Sequence, residues 1–253
     1  MAVTDRWPEL REIVRDDDGL PTLPIPAHSR DKLVFLHRYI DITTTAMVGK
    51  PHWPDGVAFL DLFCGPGVGE TISGDRYPGS PLIAALSKKP MSAVVCCDKD
   101  VAHAKACSHR LKRFAPQIKS KVFHGSSAET LQDMIKEIPD RALTITLIDP
   151  FNFGLQFDLF SRIAEYRRAD FIVLFADSMD LSRNLPLYSK QGGRIDEFLG
   201  DSEWREGFAA LDTHAEEVVC TYIRNCLVDR LKSRLGYQAF ETKGIGPEHR
   251  RYY

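Results

Sequence analysis

Between Val57 and Phe175 the chain alternates short apolar runs with segments of helical period, a pattern that few folds can use. The runs are Val57–Leu60, Ala93–Cys97, Lys121–Phe123, Leu143–Ile148 and Phe171–Phe175. Most are continuous stretches of β-branched and other apolar residues, as a strand covered on both faces requires. Between them, Pro81–Ser87, Val101–Phe114, Ala128–Ile138 and Leu155–Tyr166 carry helical patterns. Strands separated by helices predict a parallel sheet with helices on both faces, and the right-handed preference of crossovers favours double winding. The expected fold is therefore α/β, with a doubly wound, mostly parallel, Rossmann-like sheet.

On either side the pattern changes. Residues 1–28 hold several prolines and the acidic run Asp16–Asp18 without a sustained period, which predicts an extended arm with one short helix near Trp7 to Arg15. From Ser29, a candidate N-cap, Leu33, Leu36, Tyr39, Ile40, Thr43 and Met47 recur at spacings of three and four. That is an amphipathic helix ending near Gly49, an N-terminal helical extension to the sheet. A single Rossmann-like domain is expected over residues 29–253, with an insertion after the fifth strand at about residues 178–208. A helix from about Ala215 to Leu235, capped by Gly236, then leads to a last strand around Gln238–Thr242. In folds of the kind that the motifs below resemble, a further closing strand begins where Arg251–Tyr253 stand, so it is expected to be missing.

Composition excludes several classes. A chain of 253 residues that is 43% hydrophobic can bury one large core, and its longest apolar runs fall far short of the roughly 20 residues that span a bilayer. No membrane partner is expected, and the acidic N-terminus lacks the basic start of a secretory signal, so the expected location is the cytoplasm. Six cysteines without C-x-x-C spacing, two of them adjacent in a buried strand, argue against a disulfide framework and a zinc site, so no metal is expected. The net charge of −2 gives no global attraction to nucleic acid. The basic clusters His109–Arg113, Arg167–Arg168 and His249–Arg251 read first as solvated faces, with a phosphate-binding patch as the competing reading.

The first strand runs into a glycine-dense turn, Asp61-Leu62-Phe63-Cys64-Gly65-Pro66-Gly67. Glycines permit positive φ and let backbone approach a ligand with no side chain between. A nicotinamide fingerprint would need glycine where Glu70 stands, and a phosphate-binding loop would need Lys-Ser or Lys-Thr where Glu70-Thr71 follow Gly69. An ordinary structural turn is the remaining simple reading.

Two further strand tips carry candidate groups. The second ends in Asp98, where two acceptor oxygens match the adjacent hydroxyls of a ribose. The third leads to Ser126, placed either to meet an adenine edge or to cap the following helix. The fourth ends Ile148-Asp149-Pro150-Phe151-Asn152-Phe153, which is either a strand-ending turn or a reaction site.

The D-x-F-x-G-x-G arrangement resembles the first motif of class I, S-adenosylmethionine-dependent methyltransferases. That resemblance implies S-adenosylmethionine as cofactor, with Asp61, Phe63, Gly65, Gly67, Asp98 and Ser126 as its binding residues. Asp149-Pro150-Phe151 resembles the D/N-P-P-Y/F motif of amino-methylating enzymes, with Phe151 in place of the second proline and Asn152 in place of the aromatic. This implies that Asp149 and Pro150 orient an amine, with a neighbouring aromatic ring stacked on its base, so the acceptor is a nucleic acid base or another planar amine. More widely, the chain resembles the bacterial three-Cys-motif partner proteins (TcmP). The resemblance is carried by Lys32 to Tyr39, Phe59 to Gly67, Gly79-Ser80-Pro81, Ile148 to Phe153, Arg183-Asn184 and Asp196 to Trp204. It implies a methyltransferase-like fold and a partner protein with a three-cysteine motif, of iron-sulfur or radical type, beside which the chain would be either an enzyme or a non-catalytic partner.

Overall fold

In chain order the arm gives α1 (Trp7–Ile13) and β1 (Leu23–Pro24), and the amphipathic segment gives α2 (Ser29–Met47). Then come β2 (Val57–Asp61), the hairpin β3 (Val68–Glu70) and β4 (Arg76–Pro78), and α3 (Ser80–Ala85). The alternation continues with β5 (Ala93–Asp98), α4 (Val101–Phe114), β6 (Ser120–His124), α5 (Ser127–Glu137) and β7 (Leu143–Ile148). After these stand α6 (Phe157–Tyr166), β8 (Arg168–Val173), α7 (Ser182–Tyr188), α8 (Arg194–Leu199), α9 (Trp204–Ala209) and α10 (Glu216–Leu235). This computed structural model describes residues 5–150, 154–175, 181–213 and 215–244.

The main sheet has the order β6-β5-β2-β7-β8. Its central pairs are parallel: Asp61 of β2 stands level with Cys96 of β5 and Leu147 of β7, and Asp98 of β5 with His124 of β6. From β2 the chain steps outward to β5 and β6, then jumps back across β2 to β7. Right-handed crossovers therefore place α3 and α4 on one face and α5 on the other, and the direction of winding reverses between β2 and β7. The fold is the expected doubly wound α/β sheet. Every residue of β2 and β7 is buried, which explains why these strands read as unbroken apolar runs.

Two units make up the chain. One holds the residues up to Ile148 together with Tyr166–Ile172, and the other holds Asp149–Glu165 and the residues from Val173 onward. In the first, α2 buries Leu33, Leu36 and Ile40, as its period predicts. Its start differs slightly from expectation: His28 is the N-cap, and Ser29 is already helical and buried. The arm also carries more structure than expected. α1 buries Trp7 and Leu10, and β1 joins β3 and β4 in a second, three-stranded sheet.

In the second unit, the stretch expected as an insertion forms the short helices α7, α8 and α9. Asp196 ties α8 to α9, accepting from Trp204 Nε1 at 2.7 Å and from Arg205 Nη2 at 2.9 and 2.8 Å. Gly200 caps α8 at φ 73°, and Gly236 caps α10 at φ 76°, the latter as expected. The strand expected at Gln238–Thr242 is absent; these residues are exposed and irregular. The segment has one large apolar side chain, Phe240, and so no apolar face with which to hold a strand. Arg251–Tyr253 lie outside the described residues.

Candidate functional site

The turn after β2 lies at the carboxyl end of the central strand, beside the point where the winding reverses. Ligands of open α/β sheets bind at such a place. Gly65 and Gly67 have φ of 57° and 82°, so both need a residue without Cβ. Gly67 also passes close to α4: a Cβ there would lie 3.5 Å from Cys107 Cα.

Four hydrogen bonds brace this turn. Asp61 is fully buried; its Oδ1 accepts from Phe63 N at 3.0 Å and its Oδ2 from Ser80 Oγ at 2.6 Å. Gly79 N donates to Gly67 O at 2.8 Å, and the two backbones meet so closely that a Cβ on Gly79 would stand 3.0 Å from the Gly67 carbonyl. Cys64 N donates to Cys97 O at 3.0 Å, joining the turn to β5.

Asp98 supplies the open side. Its Oδ2 accepts from Gly65 N at 2.8 Å and its Oδ1 from Asp100 N at 2.8 Å, with His103 Nδ1 at 3.7 Å from Oδ1. A carboxylate offers about four acceptor positions, so these two bonds leave capacity on both oxygens. Asp100 caps α4 through Ala102 N and His103 N at 2.7 and 3.0 Å, and these backbone donors hold its carboxyl below the usual range. Ser126 takes the capping role in the structure. Its hydroxyl donates to Glu129 Oε2 at 2.6 Å and accepts from Glu129 N at 3.4 Å, completing a capping box on α5.

Cys64 of the turn, Cys96 of β5 and Cys107 of α4 are all buried and free. Hydrogen bonds from Cys64 and Cys96, reinforced by the nearby charge of Arg110, lower the Cys107 thiol relative to its neighbours. Burial pushes Cys97 up to about 12. Among the described residues, no group of His, Cys, Asp and Glu side chains is placed to hold a metal ion, and no helix is long and apolar enough to cross a membrane.

The structure thus gathers Asp61, Phe63, Gly65, Gly67 and Asp98 into one turn and strand tip, with Ser126 at the head of α5. Asp149 and Pro150 follow the last residue of β7 and open the second unit, and Phe151 lies outside the described residues. One reading of the sequence is corrected. Arg110, taken with His109–Arg113 as part of a solvated face, is 0% exposed, and its Nη1 donates to Pro66 O within the turn at 2.7 Å. Ser80 and Gly79, noted in the sequence only as part of a resemblance, are direct supports of the same turn.

No protein-family model and no curated protein matches the chain, so the resemblance to three-Cys-motif partners gains no support from them. Similar solved structures include an O-methyltransferase from Bacillus cereus in complex with S-adenosylhomocysteine, at 12% identity over 92% of this chain and 81% of that one, with TM-score 0.46. A methyltransferase from Geobacter sulfurreducens is 12% identical over 76% of this chain and 81% of that one, with TM-score 0.38. A geranyl diphosphate methyltransferase in complex with S-adenosylmethionine is 14% identical over 85% of this chain and 90% of that one, with TM-score 0.34. The fold assignment rests on strand order and register, not on these likenesses.

Proposed function

We propose that the chain is an S-adenosylmethionine-dependent methyltransferase whose cofactor lies on the Asp61–Gly67 turn. The observation that carries this reading is the bond from Gly65 N to Asp98 Oδ2 at 2.8 Å, which sets a glycine cradle and a carboxylate with spare acceptor capacity side by side at a sheet switch point. These groups fit the cofactor: Asp98 matches paired ribose hydroxyls, and the glycine turn admits close approach of a ligand to backbone. Asp61 and Ser80 act by holding the turn, and Phe63, its partly exposed residue, adds apolar contact. When bound, the cofactor supplies an electrophilic methyl group. Asp149 and Pro150 are proposed to accept hydrogen bonds from the amino group of the acceptor, directing its lone pair toward that methyl. The proposed acceptor class is a nucleic acid base or another planar amine.

A second reading, a non-catalytic methyltransferase-like partner of a three-cysteine-motif protein, is favoured by one observation. Both oxygens of the buried Asp61 are already engaged within the protein, by Phe63 N and Ser80 Oγ. Incubation of the protein with methyl-labelled cofactor and DNA, RNA or small planar amines separates the two. Label transfer that is lost in Asp149→Ala supports the enzyme, and undiminished transfer in that variant removes Asp149 from its role. Cofactor binding without transfer to any acceptor favours the partner reading.

A further inference from the structure

We propose that the arm segment Asp18–Ile25 is a built-in part of the cofactor turn, and that Arg110 is the positioning residue that latches it there. This inference rests on the cofactor reading above and extends it to residues far from the glycine motif.

Three independent sets of contacts converge on it. The first is Arg110, whose guanidinium has five N–H donors, all of them used. Nε and Nη2 donate to Asp18 Oδ2 and Oδ1 at 2.8 and 2.7 Å, and Nη2 also reaches Leu20 O at 3.2 Å. Nη1 divides between Pro21 O at 2.8 Å and Pro66 O at 2.7 Å. One buried cation therefore spans the arm and the turn. The second set is backbone pairing. β1 runs parallel to β3, with Leu23 level with Gly69 and Pro24 with Glu70, and Ile25 N donates to Glu70 O at 3.0 Å. Beside it, Arg76 donates to Asp16 O at 2.9 Å, to Asp17 Oδ1 at 2.8 Å and to Glu70 Oε2 at 3.0 Å.

The third set is the contact of arm side chains with two of the glycines. A Cβ on Gly65 would lie 3.6 Å from Leu23 Cδ2, and one on Gly69 would lie 2.7 Å from Ile25 Cδ1. Gly69 therefore makes room for the arm, and Leu23 rests at ordinary contact distance from Gly65 in the turn. A ligand that needs the turn in this shape must tighten the arm, and the arm must strengthen that ligand by the same factor, because coupling between two sites is reciprocal.

Hydrogen–deuterium exchange on the full-length protein, with and without saturating S-adenosylhomocysteine, tests the coupling together with calorimetric affinities. In the wild type the ligand is expected to slow exchange across residues 18–25. The double substitution Asp18→Leu with Arg110→Met replaces the buried pair by apolar groups, a change that often leaves stability intact. It is expected to weaken S-adenosylhomocysteine at least tenfold and to abolish ligand-induced protection of the arm. Leu23→Ala leaves the ion pair untouched and is expected to weaken binding several-fold, which keeps the test valid if the double variant fails to fold. Wild-type affinity in both variants, or arm exchange in the wild type that ignores the ligand, overturns the latch alone. No binding to the wild type overturns the cofactor reading, and the latch as a cofactor device with it.

Discussion

Arg110 and Asp18, 92 positions apart in sequence, form a two-pronged ion pair at 2.7 and 2.8 Å in which the arginine side chain is fully buried and the aspartate is 8% exposed. A planar guanidinium suits this place because its fork matches a carboxylate on one side and carbonyls on the others. Removing one partner leaves the other buried without its counter-charge. Arg110→Ala is therefore expected to cost about 3–5 kcal/mol of unfolding free energy in urea titrations, and a loss below about 1 kcal/mol would show that the pair is not a structural latch.

The same pair sets a pH dependence. The hydrogen bond from Arg110 holds the Asp18 carboxyl below its ordinary value of 3.8. A carboxyl lowered in the folded state adds stability that is present above the unfolded value and is lost as pH falls through the folded one. Stability should therefore drop below about pH 4, and Asp18→Asn should flatten that limb in urea titrations at successive pH values.

Asp170 has the opposite sign. Burial raises its carboxyl, and Tyr39 of α2 hydrogen-bonds to it. Ionising it at neutral pH therefore costs stability, and that cost disappears as the group protonates in acid. Asp170→Asn keeps an acceptor for the tyrosine and is expected to stabilise the protein at pH 7, with the gain shrinking toward pH 3. Equal effects at both pH values would contradict this assignment.

Gly79 is where the support of the turn is tightest. A Cβ there would stand 3.0 Å from the Gly67 carbonyl, and a backbone carbonyl cannot swing aside as a flexible side chain can. Gly79→Ala is expected to cost roughly 1–3 kcal/mol and to weaken cofactor binding, because the turn itself must shift. Unchanged thermal and binding curves would mean that α3 gives way without disturbing the turn.

The parts of this fold that were legible in sequence carry strong local signals. α4 spans Val101–Phe114 as its period predicts, because Asp100 caps it and no breaker interrupts it. The turn at Asp61–Gly67 and the acid at Asp98 were legible because glycines with positive φ and a strand-tip carboxylate leave a mark in the residue types themselves. β8 begins at Arg168, three residues before the apolar run at Phe171, a start that the charged Arg168 and Asp170 conceal in the sequence. β1, β3 and β4 have two or three residues each, too few for any period to show. Arg110 and Asp18 were illegible for a different reason: an arginine in a basic run looks the same whether it faces water or a carboxylate from a distant part of the chain.

The central claim is that the Asp61–Gly67 turn and Asp98 bind S-adenosylmethionine, and calorimetric titration of the full-length protein with S-adenosylmethionine and S-adenosylhomocysteine tests it most directly. The account predicts micromolar binding of both, weakened by roughly 1.5–3 kcal/mol in Asp98→Ala through loss of charge-assisted hydrogen bonds, and abolished in Asp61→Ala. Folded wild-type protein that binds neither ligand, or binds both equally well after Asp98→Ala, would contradict it.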